Sequence, residues 1–516
     1  MLIRRPVENG GYDVLVALHR AALATPSKKG AARILTLAYS RPYYKPNRAS
    51  VLCMVHRLPR KALLAALVVT VLSGCASYRA HTLPASPDLA AALPVLPAPP
   101  DLPVLPAVRL SRIDPRSGLT ESQVAELAVL ADPELKALRA QIGVAQAQAL
   151  AAGLSPDPLL TLSTAQVLST GPGLSNPLAL SIGEDIGRLI TLGDARQAAA
   201  EHLRSINYQV LWREWLVAQH ARQLWVDIRS VDADALLLRQ QIRLYRQALV
   251  ASGKAAAADA LTPLELAPWR SALLHAEVMR ADAQRRRSAA QASLRLLLGL
   301  APQAALPLAG RMQRQLPSVQ RIANALATLP QRRPDLLALA AGYRSADARL
   351  REQILAQFPG VSVQLSRSRD NNGVNMAGLS VGLRLPIFNG NRGNIAIAQA
   401  SRRALLEQYQ ARLDSATSEV HALYDALGSI ASELRVAEKP LRGLRETAAQ
   451  AQRAFNAGAL DWTTCAGAEQ TYLERAFLAI SLQRSLAQGR VALQTLLGVT
   501  DLAQKMPAKS ESEPSS

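Results

Sequence analysis

Aromatic side chains are scarce in this sequence: five Trp, eleven Tyr and four Phe make up 4% of 516 residues. With Ala, Leu, Arg and Gln recurring throughout, that scarcity argues against an ordinary large mixed enzyme core and favours long helices. Cysteine is scarcer still. Cys53, Cys75 and Cys465 lie far apart in unlike contexts, which excludes a disulfide framework and a thiolate metal site. No Gly-Lys-Ser/Thr phosphate loop, Ser/His/Asp context or HExxH motif is present. His202, His220, His275 and His421 have no second His or Cys three or four residues away, so no metal site, no cofactor and no enzyme are expected. What the chain does have is apolar material, 49% of residues, enough for one or more packed cores.

The formal net charge of +20 suggests nucleic acid until it is located. Residues 1–74 hold 12 Lys/Arg against Glu8 and Asp13, half of the excess. The rest is spread over scattered runs such as Arg285-Arg286-Arg287 and Arg332-Arg333, the pattern of solvated helix faces. No nucleic-acid partner is expected.

The basic stretch Met54-Val-His-Arg-Leu-Pro-Arg-Lys61 precedes an apolar run of 11 residues, Ala62 to Leu72, broken only by Thr70. That is the pattern of a secretory signal peptide over 54–74. As a helix the run would span about 16 Å against a hydrocarbon core of about 30 Å, too short for an anchor. It ends in Leu72-Ser-Gly-Cys75, which resembles a bacterial lipobox, so Cys75 is expected to carry lipid, palmitate included. Residues 1–53 show no sustained period, and the expected start of translation is Met54, with 1–53 a mis-called extension. Residues 75–117 form the lipidated Cys and a tether. Nine of the chain's 31 prolines fall between Ala76 and Ser117, a density that excludes helix and sheet interior. A polar tail is expected at 503–516.

The body is a unit written twice, over 118–310 and 318–502. Pro133-Glu-Leu-Lys-Ala-Leu138 returns as Pro334-Asp-Leu-Leu-Ala-Leu339, and Leu180-Ser-Ile-Gly183 as Leu379-Ser-Val-Gly382. Leu261 pairs with Leu460, and Leu297-Leu-Gly-Leu300 with Leu496-Leu-Gly-Val499. The offsets are 201, 199, 199 and 199, a coincidence that duplication explains.

Each unit reads as helix, hairpin, very long helix, turn and shorter helix. In the second, a helix is expected from Pro334 to Gln357, then the alternating strand Val361-Ser-Val-Gln-Leu-Ser366, a turn at Asp370-Asn-Asn-Gly373, and a strand over Leu379–Leu385. One face of this hairpin is apolar while Ser380, Gly382 and Arg384 point the other way. The first copy repeats the pattern around Leu160, Leu162, Leu178, Leu180 and Ile182, with its turn at Ser169 to Asn176. Four strands cannot close a barrel alone, so closure by oligomerisation is expected. Phe358 and Phe388 flank one end of the second hairpin, where a membrane interface would suit an aromatic.

From Leu406 to Phe455 apolar residues recur in unbroken steps of three and four for seven heptads. A 3.5-residue repeat of this length implies left-handed supercoiling against neighbouring helices. Asn391 to Phe455 as helix would reach about 97 Å, the wall of a rod or tube, with Pro440 as a local kink. A lipid-anchored structural coiled coil would share these heptads, but it has no use for two alternating hairpins.

Three segments carry a family resemblance: Arg333-Pro-Asp-Leu-Leu-Ala-Leu339, Phe358-Pro-Gly-Val-Ser-Val363 and Gly378-Leu-Ser-Val-Gly-Leu-Arg-Leu-Pro-Ile-Phe-Asn-Gly-Asn-Arg-Gly393. The last, an apolar strand, Pro-aliphatic-Phe and a Gly-rich turn into a helix, resembles bacterial outer-membrane factors of the TolC family, with Pro386, Phe388, Gly390 and Gly393 at its strand-to-helix turn. The resemblance covers about Leu119 to Leu502. It implies a mainly α fold with a small β part: a homotrimer with a twelve-stranded barrel in outer-membrane lipid, four strands per chain, and a periplasmic α-barrel tapering to a closed tip. It also implies a passive exit duct for an inner-membrane pump, RND type expected, opened by a periplasmic adaptor (membrane fusion) protein at the helix tips.

The tips are expected near Ala251 to Pro263 and Phe455 to Trp462. The family places acids just after the second turn, in a Val-Asp-Val-Leu-Asp-Ala type pattern, whereas this chain reads Thr463-Thr-Cys-Ala-Gly-Ala468. Asp461 is the nearest acid, and Glu265 lies close to the equivalent position in the first copy. They are the candidates for the tip constriction, the alternative being solvated helix-start residues favoured by the helix dipole. Cys465 reads as a small packing residue. Arg384 and Arg188 are the candidates for charge in the barrel lumen.

Overall fold

In the computed structural model the described residues are 78–93, 117–169, 171–257 and 262–499. The extension 1–53, the signal 54–74, Cys75, and the tail 503–516 lie outside them, as do 94–116 of the tether. Contacts divide the chain into two units, Leu23–Leu89 and the remainder. In the first, residues 78–89 run without helix or strand and are exposed.

The other unit holds the duplication. Its first copy comprises α1 (Glu121–Ala131), α2 (Pro133–Gly153), β1 (Leu159–Thr164), β2 (Leu178–Asp185), α3 (Ile186–Ala257) and α4 (Pro263–Leu297). The second comprises α5 (Val319–Ala327), α6 (Leu329–Arg332), α7 (Pro334–Leu355), β3 (Gly360–Arg369), β4 (Asn375–Arg384), α8 (Arg392–Glu438), α9 (Leu441–Asn456) and α10 (Trp462–Leu497). The sequence pattern thus describes the order of the long elements correctly. It misses the short helices α1, α5 and α6, which open the two copies, and it ends β3 three residues early.

Local chemistry sets the helix starts. Thr120 and Gln123 form a reciprocal capping box at α1, and Asp132 accepts the Leu135 N–H at 2.8 Å with Pro133 at the first helical position of α2. In the second copy the residue matching Asp132 is Arg333, and the carboxylate comes instead from Asp335, which accepts the Leu336 N–H at 3.0 Å.

Helix α3 runs 72 residues without a break, about 108 Å, whereas its counterpart stops at Lys439 and Pro440 and restarts as α9. Proline has no N–H to give the preceding turn, which accounts for the interruption. Of the heptad residues from Leu406 to Phe455, all but Leu406 are buried or half-buried. They pack Ala416, Val420, Leu427, Leu434 and Ala437 against Leu486, Leu493 and Leu497 of α10. The approach is close at Gly489, where a β-carbon would sit 2.2 Å from Leu427 Cδ2. Only glycine lets the two helices meet there.

A second core gathers around Trp225 of α3, which is 1% exposed and donates from Nε1 to the Leu119 carbonyl at 3.0 Å. Two extended segments close it. Leu119 bridges Leu308 in parallel, and Ala90 bridges Leu300, with Leu93 buried beside them, so residues 90–93 lie along the body. Among the described residues, no helix is long and apolar enough to cross a membrane.

Candidate functional site

The two hairpins do not stay separate. They join into one antiparallel sheet in the order β1-β2-β3-β4, and the β2–β3 pairing, from Leu178↔Arg369 to Asp185↔Ser362, ties the first copy to the second. Among the described residues, strands β1 and β4 are left with an unpaired edge each.

Register decides the faces. Directly opposed residues of an antiparallel pair share a face. Leu160, Ile182, Leu365 and Leu379 therefore form one row across all four strands, with Val363 and Val381 in the next and Val361 and Leu383 beyond. These side chains are largely exposed, Leu379 at 66% and Leu160 at 64%. The opposite face carries Ser181, Gly183, Ser362, Gln364, Ser366, Gly378, Ser380, Gly382 and Arg384. Here Gln364 Nε2 donates to Ser181 Oγ at 2.7 Å, linking the two copies. Gly378 and Gly382 face Ser366 and Ser362, and a β-carbon at Gly382 would come within 2.6 Å of Ser362 Oγ. Small residues thus keep this face shallow.

Arg384 lies on the serine and glycine face at the helix-proximal end of β4, opposite Gly360, and is exposed. Arg188 follows β2 in the first turn of α3 and is also exposed. The two share an end of the sheet with β3 between their strands, and no contact joins them. Phe358 and Phe388 stand at the same end, 60% and 92% exposed.

The turn from β4 into α8 has the expected chemistry and one feature that pattern reading misses. Gly390 takes φ +53° and its N–H returns to the Pro386 carbonyl at 3.0 Å. The next residue, Asn391, is also left-handed at φ +54°, a conformation asparagine tolerates better than most. Its Nδ2 donates to the Gln353 carbonyl at 2.8 Å, pinning the start of α8 to the end of α7. Gly393 has open space around it.

At the far end of the helices, α9 closes through Gly458 at φ +73° and α10 opens at Asp461. Asp461 accepts the Thr464 N–H at 2.9 Å and the Thr464 hydroxyl at 2.6 Å. That hydroxyl, with the backbone N–H groups, holds its carboxyl below the usual aspartate range. Asp461 is therefore a helix cap in an exposed setting. Phe455 and Trp462 clasp the turn edge to face, 4.9 Å between ring centres. Cys465 is 1% exposed, with Sγ 3.7 Å from Gln452 Oε1, and burial pushes its thiol up. Glu265 belongs to α4, but its side chain lies outside the described residues, as do 258–261 of the other tip turn.

A further cluster brings together residues that are scattered along the chain. Arg333, with a wholly buried side chain, donates to Asp335 through Nε at 3.0 Å and to the Leu496 carbonyl at 2.9 Å. Arg412 of α8 donates to the same carboxylate at 2.7 Å, and both guanidiniums lie over the ring of Trp212 in α3, at 5.0 and 5.9 Å. Arg333-Pro-Asp335 is legible as a motif, but Trp212 and Arg412 carry no sequence signal that would join them to it.

Residues 325–499 match the protein-family model described as outer membrane efflux protein. Among solved structures, the outer-membrane channel OprN superposes with a TM-score of 0.62 at 15% identity, over 75% of this chain and 91% of that one. The outer membrane protein VceC of Vibrio cholerae gives 0.61 at 16%, over 73% and 96%. The CmeC outer membrane channel of Campylobacter jejuni gives 0.60 at 16%, over 75% and 87%. No curated protein matches the chain by sequence. At such identities the structural likeness establishes the fold.

Proposed function

We propose that the chain is a member of the outer membrane efflux protein family, whose model its residues 325–499 match, and that it is the outer-membrane exit duct of a tripartite efflux system. One observation carries the reading. Among the described residues, a four-stranded sheet exposes a leucine and valine band on one face, keeps a serine and glycine face opposite, leaves both edges unpaired, and passes directly into a helix of about 108 Å. In water an exposed apolar sheet face and two open edges are liabilities; in a bilayer the face meets lipid and the edges pair with other copies.

Three copies supply twelve strands, β4 of one pairing with β1 of the next, and enclose a lumen lined by the serine and glycine face. Arg384 and Arg188 then stand at the periplasmic mouth of that lumen and bias it toward anions. The long helices continue as a periplasmic tube whose heptad faces seal one helix to the next. Asp461 and Glu265 sit at its tip, where a periplasmic adaptor docks, and an inner-membrane pump, RND type, supplies the energy. Cys75, cut free of its signal and acylated, adds a lipid anchor in the outer membrane. Conduction through such a duct is passive, so no catalytic group is required of it.

The deciding experiment is the native mass of the protein extracted from outer membranes in mild detergent, corrected for bound detergent. Three chain masses are expected. A monomer leaves four strands unable to close and returns the chain to an anchored coiled-coil protein.

A further inference from the structure

The apolar face of the sheet carries three charged residues, Glu184 opposite Val363 at the helix end and Arg367 and Arg369 at the hairpin end. Arg367 and Arg369 alternate in phase with Val361, Val363 and Leu365 along β3, so they stand on the leucine face. Register places Arg367 between Leu180 and Ala377, and Arg369 between Leu178 and Asn375. Because β3 is an inner strand, this setting is complete within one chain. Both are exposed, and they lie at the hairpin end of the sheet, away from the helices.

Neither guanidinium has an anionic partner among the described residues. The acid next in the chain, Asp370, turns its carboxylate inward to accept the N–H groups of Asn372 and Val374 at 2.9 and 2.8 Å. Arg369 lies over the turn, with Nη2 3.5 Å from where a β-carbon on Gly373 would be. Two residues apart on one strand face, the two side chains leave the backbone about 7 Å from each other. That spacing sets two cationic forks side by side at one edge of the apolar band, and like charges so placed call for an anion between them.

We propose that Arg367 and Arg369 bind the phosphate of a lipid headgroup at the outer boundary of the bilayer. The inference rests on the duct reading, which puts the leucine face in lipid and the hairpin turns outside. An arginine on a lipid-facing strand is costly at mid-bilayer and mild near the interface, where its long stem lies along apolar surface and its charge reaches the headgroups. A planar fork with five donors matches phosphate oxygens two at a time.

The test uses the full chain reconstituted in phosphatidylcholine vesicles with spin-labelled phosphatidylglycerol or spin-labelled phosphatidylcholine. Electron paramagnetic resonance reads the fraction of each label held motionally restricted at the protein. The wild type is expected to prefer phosphatidylglycerol several-fold, R367Q/R369Q to fall to near parity, and R367K/R369K to keep most of the preference. The restricted phosphatidylcholine fraction, equal in all three, shows that each variant is folded in the bilayer. Restricted lipid with the same preference in wild type and R367Q/R369Q overturns this site alone. No restricted component with either label overturns the duct reading and the site with it.

Discussion

The guanidinium of Arg333 sits 5.0 Å above the ring of Trp212, although 121 positions and the whole of α4 separate the two in the chain. Trp212 lies on the long helix of the first copy and Arg333 at the entry to the second. Asp335 and Arg412 complete the cluster, and Arg333 also satisfies the Leu496 carbonyl near the end of α10. One buried cation thus ties the start of the second copy to both long helices and to the last one.

Removing that cation leaves Asp335 with Arg412 as its remaining basic partner and the Leu496 carbonyl without its donor. R333A is expected to cost about 3 to 5 kcal/mol, the usual range for breaking one side of a buried pair. R412A, which removes the more exposed partner, costs less. Chemical unfolding of the two variants beside the wild type checks the order.

The same cluster makes stability depend on acid. Burial pushes the Asp335 carboxyl up, but the hydrogen bonds and charge of Arg333 and Arg412 outweigh it, and the net position is below the ordinary aspartate value. A depressed folded-state value gives a contribution fully present above about pH 4 and lost as pH falls through the folded value. Melting temperature should therefore fall on acidification below about pH 4, and D335N, less stable at neutral pH, should show a shallower fall.

At Gly489 the helices α8 and α10 approach so closely that a methyl group must displace Leu427. G489A is expected to destabilise by about 1 to 3 kcal/mol. In a double-mutant cycle with L427A the two losses should be less than additive, because the shortened side chain makes room. Strict additivity would mean that the contact does not govern the packing.

Asp461 caps α10 through Thr464. D461A should raise amide hydrogen exchange over 462–466, while D461N, which keeps an acceptor oxygen, should change it far less. Because the carboxyl is held below its usual range, acid should loosen the same amides in the wild type as it becomes protonated.

For the lumen, Arg384 is the residue to reverse. R384E is expected to move the reversal potential of the reconstituted channel toward cation preference, since the side chain stands on the serine and glycine face. Unchanged ion selectivity would place Arg384 outside the conducting path.

How much of this was legible in advance differs by element. The heptads of α8 and α9 are visible because a helix repeats its environment every three or four residues, and burial follows them except at Leu406. The strands are visible because alternation has a period of two, and the same phase that puts Val363 and Leu365 on one face puts Arg367 and Arg369 there too. The left-handed Asn391 is harder to read, because its conformation depends on Gln353 arriving 38 positions away.

The sequence by itself therefore determined the duplicated order of elements, the two-faced strands, the seam of the long helices and the turn at Gly390, all of which depend on neighbours within a few residues. Only the tertiary structure decided that the two hairpins share one sheet, that Gly489 meets Leu427, and that Trp212, Arg333 and Arg412 surround one carboxylate. Those pairings join positions tens to hundreds of residues apart. A periodic pattern says which face is apolar, but which distant face it meets is settled by packing and by where each buried charge finds its counter-charge.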